Sequence, residues 1–276
     1  MLRLATLFLG ILVIAGGALC DHVPLTSLLN LTAFIIVMCG SFAACILQFG
    51  LKKLLAAQKA VMWLAKPPMV DLPAFIDQIV SWATKARSSG VLSLEPDIQS
   101  VTDPLQRQGL QLLVDNTPPE EFAAMLMVIT EKLDQEQELH GHIWEAIGGY
   151  SPTIGVLGAV IGLIHVMMEL NHPNLLGAGI ATAFVATVYG VGFANLVALP
   201  LGGRLKAIAK ELERERMVIV QGFVLLGEGK PGLLIRQTLS NYLDNAAKTS
   251  KTTDAPEPSA SASASASASA SASQAA

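Results

Sequence analysis

Thr187 is the polar side chain best placed on the small-residue face of the apolar run 176–201, where a hydroxyl could line a path for water or an ion. Ala183, Ala186, Thr187, Gly190 and Ala194 recur at helical spacing and share one face. Gly155, Gly158, Ala159 and Gly162 form a second such face, at i, i+3, i+4 and i+7. Small faces let helix backbones approach closely inside a membrane. Two uses fit them: plain helix packing, or room for a third helix or a thread of water beside the Thr187 hydroxyl. A threonine hydroxyl in a membrane helix also has a local option, the carbonyl four residues back. Pro152 and Pro200 stand near one end of each apolar run, and each frees a backbone carbonyl about one turn earlier. That marks a kink or terminus, or a flexing point where a water-filled path opens.

What the apolar stretch 148–204 lacks matters as much. Neither run carries Asp, Glu, Lys or Arg near its middle. Moving ions by protonation across a membrane needs an ionisable group at depth. The chain is therefore no ion pathway, or it is half of one and a partner supplies the carboxylate. Ser41 and His165 are the only candidates for a nucleophile and base at depth, and no motif surrounds either. His165 reads as an interfacial or packing histidine. A stand-alone transporter would show polar or charged binding residues at mid-membrane. Phosphate loops, metal-ligand sets and basic nucleic-acid patches are absent from the sequence. The expectation is a protein that is not an enzyme and holds no cofactor or metal.

The elements that position these residues are membrane helices. Hydrophobic residues make up 52% of the chain and charged residues 14%, against about 25% charged in soluble domains. The net charge of −4 is too modest to imply a nucleic-acid partner. Cys20, Cys39 and Cys45 form no metal-like spacing and no disulfide framework. Four apolar runs, at 4–20, 26–49, 152–168 and 176–201, each approach the roughly 20 residues that cross a bilayer. The first follows Arg3 and has a signal peptide as its alternative reading. It reads as a retained helix, because the second span follows a very short loop at Asp21 and His22.

Lys52, Lys53, Lys59 and Lys66 follow the second span, and Arg204, Lys206 and Lys210 follow the fourth, whereas the two hairpin turns carry no Lys or Arg. By the positive-inside rule the turns face outward and both termini face the cytoplasm. The expected fold is all-α and integral to the membrane: four transmembrane helices in two hairpins, with a large helical cytoplasmic insert between helices 2 and 3. The insert, 51–150, contains a good helix start at Thr117–Pro118–Pro119–Glu120, with Thr117 as cap. That helix runs almost directly into the third span. After the fourth span come charged C-terminal helices, 204–247, broken near the Gly-Pro-Gly at 229–232 and ending near Ala247. A polar, then Ser/Ala-repeat tail, 248–276, carries no apolar periodicity and is expected to be disordered.

On these residues the chain resembles the flagellar motor stator A subunit (MotA/PomA-like) over about 4–242. The local match rests on SPTIGVLGAVIGLI, then AFVATVYGVGFANLVALPLGGRL, and more weakly on ATKARSSGVLSLE and QGLQLLVDN. The resemblance implies a stator subunit in the bacterial inner membrane. It implies a homo-pentamer around a dimer of a B-type subunit (MotB/PomB-like), whose single membrane helix bears the ion-binding aspartate. It also implies that ion flow turns the ring, and that the cytoplasmic insert pushes on the rotor protein FliG. The family's rotor-contact arginine and glutamate fall on Arg87 and Glu95, in a stretch expected to be loop-rich, and its functional prolines fall on Pro152 and Pro200. Lys85 and Asp97 share the rotor role in a thinner charge cluster, since Ser88 and Pro96 stand where further charge is common. Ala159 takes the place of a threonine found in sodium-driven members, and Thr187 matches one shared by both types. A methyl group offers sodium no oxygen ligand, so the expected ion is the proton. The related alternative is an ExbB/TolQ-type channel subunit that energises outer-membrane processes, with three spans and a differently placed insert.

Overall fold

The computed structural model describes residues 29–168 and 173–252. The expected first span, the outer turn at 169–172 and the tail beyond 252 lie outside the described residues. Helix α1, Leu31–Phe49, starts where the Asn30 side chain accepts the Ala33 N–H at 3.0 Å. The cap satisfies one orphan backbone donor and places the start inside the expected run 26–49. Gly50 ends α1 and the chain turns into α2, Leu51–Ala60, then a 3-10 turn at Val61–Leu64. Helix α3, Leu72–Ser89, is capped by Asp71, whose carboxylate accepts the Ala74 N–H at 3.2 Å. A second 3-10 turn, Val91–Leu94, joins it to α4, Glu95–Ser100. Helix α5, Pro104–Val114, is capped by Asp103.

Helix α6, Pro119–Met168, runs 50 residues. Its first helical bond goes from the Phe122 N–H to the Pro118 carbonyl at 2.8 Å, so Pro118 holds the cap position expected of Thr117. At about 1.5 Å per residue it is about 75 Å long, over twice the ~30 Å hydrocarbon core. Helix α7, Pro173–Phe193, passes through a π turn at Ala194–Ala198 into α8, Leu199–Gly227. Helix α9 spans Gly232–Thr252, past the expected end at Ala247. All regular structure among the described residues is helical.

Two packed regions sit along these rods. In the head, α3, α5, α9, the start of α6 and the end of α8 enclose Phe75, Phe122 and Phe223, with the Trp82 ring 5.9 Å from that of Phe223. In the neck, α1, α2, α6 and α8 enclose Cys45, Ile143, Ile147 and Leu205, and the Trp144 indole N–H donates to the Ala57 carbonyl at 3.2 Å. Beyond the neck the packed apolar cluster is small: Ala33, Val37, Val185 and Ala186. There the apolar side chains point outward: Leu31 is 73% exposed and Phe184 71%. So much outward apolar surface fits lipid rather than water. Three helices, Leu31–Phe49, Glu121–Met168 and Gly179–Gly227, are long and apolar enough to cross a membrane.

Candidate functional site

The two small faces meet. A Cβ on Gly155 would lie 2.9 Å from the Ala186 carbonyl oxygen and 3.1 Å from the Gly190 Cα. One on Gly162 would lie 2.9 Å from the Ala183 amide nitrogen, and one on Gly190 2.6 Å from the Ser151 carbonyl oxygen. Helices α6 and α7 therefore touch backbone to backbone, and most of each small face is spent on that contact. Ala159 and Thr187 each follow a contact residue, Gly158 and Ala186, so they stand at one level of the pair, half-buried at its edge. The Thr187 hydroxyl donates to the Ala183 carbonyl at 3.4 Å, the local bond open to it.

Pro152 lies inside α6, half-buried, and leaves the Gly148 carbonyl without its N–H donor. The neighbouring Ser151 hydroxyl, fully buried, bonds the Ile147 carbonyl at 2.7 Å and the Ser41 hydroxyl at 3.1 Å. Ser41 in turn donates to the Val37 carbonyl at 2.7 Å. Sequence reasoning missed this pair: Ser41 is a candidate nucleophile there only for want of another, and its side-chain partner is a second hydroxyl. His165 stands roughly 20 Å further along α6 than Ser151. It lines a groove of about 410 Å³ with Thr32, Gly158 and Thr182. The structure thus keeps the two candidates for intramembrane hydrolysis apart.

Pro200 is exposed, the second residue of α8, directly after the π turn. In that turn the Leu199 N–H reaches the Ala194 carbonyl five residues back. The proline carries no N–H and its ring crowds the preceding turn, which is where the helix widens. The π turn left no mark that the sequence reading used.

The charged candidates gather at the far end of the head. Arg87 lies in the last turn of α3 and Glu95 opens α4, so the stretch expected to be loop-rich is helix, 3-10 turn, helix. Both side chains are exposed. Lys85 and Asp97, which the sequence analysis allowed to share their role, bond each other at 2.8 Å. Among the described residues Arg87 and Glu95 have no ion-pair partner. Where the rods enter the head, the buried Arg216 guanidinium pairs with the Asp134 carboxylate and donates to the Gln137 amide oxygen. Nearby, the Glu215 carboxylate accepts the Val70 N–H at 3.0 Å. Burial pushes the Glu215 carboxyl up, Val70 opposes that, and Glu211 adds to it.

A tight helix pair without an acid near its middle is thus tied to a charged head. Residues 97–217 match the MotA/TolQ/ExbB proton channel family. The chain is 31% identical over 228 residues to Motility protein A of Helicobacter pylori (strain ATCC 700392 / 26695), covering 83% of this chain and 88% of that protein. It is 34% identical over 215 residues to Motility protein A of Aquifex aeolicus, covering 76% and 80%. The structure of the flagellar MotAB stator complex from Bacillus subtilis superposes with a TM-score of 0.75 at 28% identity, over 90% of this chain and 97% of that one. The chain belongs to the motility protein A family.

Proposed function

We propose that this chain is the A subunit of a flagellar motor stator, forming an ion channel with a B-type subunit and converting ion flow into torque. The observation that carries the reading is the split between its two ends. The membrane end offers a close-packed helix pair with no ionisable side chain near its middle, so the ion-binding carboxylate comes from the partner. The other end offers free charges on a rigid head, and two continuous rods join them.

The finer reading follows. Residues 4–20 supply a fourth span, the layout is two hairpins, and both termini and the head are cytoplasmic, supported by the Lys and Arg that flank the spans. The subunits form a homo-pentamer around a B dimer in the inner membrane. Ala159 and Thr187 border the ion path, Pro152 and Pro200 are where the rods flex, and Arg87 and Glu95 touch FliG. The ion is the proton, since Ala159 offers no oxygen to a hard cation. The chain itself catalyses no covalent step and needs no cofactor.

A deletion strain tests the reading, with swimming followed in thin and viscous medium and flagella counted by microscopy. Flagellated but paralysed cells, or cells weak only under load, are the expected result. Loss of an outer-membrane uptake process with intact swimming would favour the ExbB/TolQ-type alternative.

A further inference from the structure

The tip of the head carries an apolar knob between its two free charges. Leu92 is 71% exposed and Val91 39%, whereas Leu94, two residues on, is fully buried in the head core. The knob is held out by built structure. Gly90, at φ +83°, reverses the chain in a conformation that a side chain would strain. The Ser93 hydroxyl and N–H both donate to the Gly90 carbonyl, at 2.6 and 3.1 Å. The Lys85–Asp97 pair, at 2.8 Å, ties α3 to α4 beneath it.

A single exposed leucine is ordinary on a protein surface. This one has Val91 beside it and unpaired charges of opposite sign, Arg87 and Glu95, on the two arms of the turn. An apolar centre with a polar rim is the anatomy of a protein–protein contact. A lipid surface would be met by a basic rim instead. We propose that Leu92, backed by Val91, is the apolar anchor of the head's contact with its rotor partner. The partner surface it fits is a shallow apolar depression with an acid towards Arg87 and a base towards Glu95. The proposal rests on the stator reading above and adds a dry contact to the charged one.

The test uses a strain whose only stator carries Leu92→Asp, Leu92→Ala or Leu92→Met, beside Arg87→Glu. Torque is measured on tethered cells and the subunit is quantified in membranes. At unchanged abundance, Leu92→Asp is expected to stop rotation and Leu92→Met to keep it. Leu92→Ala is expected to lower torque about twofold or more, as truncating an interface anchor does. Full torque in Leu92→Asp, with Arg87→Glu impaired, would overturn the anchor and leave the stator reading standing. Full torque in both would remove Arg87 from the rotor contact as well, and absence of torque with the unsubstituted chain as the only stator would sink the stator reading itself. Loss of both Leu92→Asp and Leu92→Ala from the membrane would make Leu92 a folding residue and overturn the proposal.

Discussion

Lys85 and Arg87 sit two residues apart on α3 and meet different fates: the lysine is neutralised by Asp97, and the arginine is left to a partner. A half-exposed pair of this kind contributes at most about 1 kcal/mol. Lys85→Gln is therefore expected to leave swimming near wild type, while Arg87→Glu weakens it without lowering membrane abundance. Equal impairment in soft-agar expansion would count against the division. The charge types were legible in the sequence, but the pairing was not, because it depends on the chain reversal at Gly90.

Glu215 gives a pH prediction. Its carboxyl is raised by burial, so the folded state holds the proton more tightly than the unfolded chain. Its contribution to stability is full below the ordinary carboxylate range and is lost as pH rises through the raised folded value. Glu215→Gln keeps an acceptor for the Val70 N–H without the charge. Thermal unfolding of the purified complex should show the variant more stable than wild type near pH 8 and level with it at about pH 4, below both carboxyl values. A less stable variant near pH 8 would mean the charged form earns more from Val70 than burial costs it.

At the scale of the element, helix pattern carried most of the information. The periodic small residues correctly marked one face on each span, and the two faces close on each other. The open alternative, room for water or another helix, survives only at the edge where Ala159 and Thr187 stand. Boundaries were less legible: Asn30 starts α1 with a side-chain bond inside an apolar run, and Pro118 displaces Thr117 as the cap of α6. The π turn was invisible, since widening depends on how the chain before Pro200 accommodates a missing donor. Gly190→Ala tests the closure. Its methyl would sit 2.6 Å from the Ser151 backbone oxygen, which only separation of the helices relieves, at roughly 1–3 kcal/mol. The variant should unfold at a lower temperature, or be recovered in smaller amounts in the assembled complex, whereas Gly192→Ala, with open space around it, should match wild type.

For the whole molecule, the contrast between apolar spans and charged segments was readable from composition, and it divides the structure into a membrane end and a head. The neck between them was not, because it packs together residues that lie far apart in the chain. The Trp144 indole finds the Ala57 carbonyl, and the Lys206 ammonium meets the Glu145 carboxylate at 2.6 Å. Nor did the sequence mark the buried Arg216–Asp134 pair, which locks α6 to α8 at the entrance to the head.

Because α6 runs unbroken from head to membrane, with α8 beside it, the bearing of the head is set by counting residues. One alanine added to each rod between neck and head turns the tip about 100° around the rod axis. Seven added to each bring it back nearly into phase, about 10 Å further from the membrane. Rotation speed should therefore vary with the number inserted as a damped wave of helical period. A smooth decline with length would mean that reach alone matters, and that the compass direction of the tip carries no information to the motor.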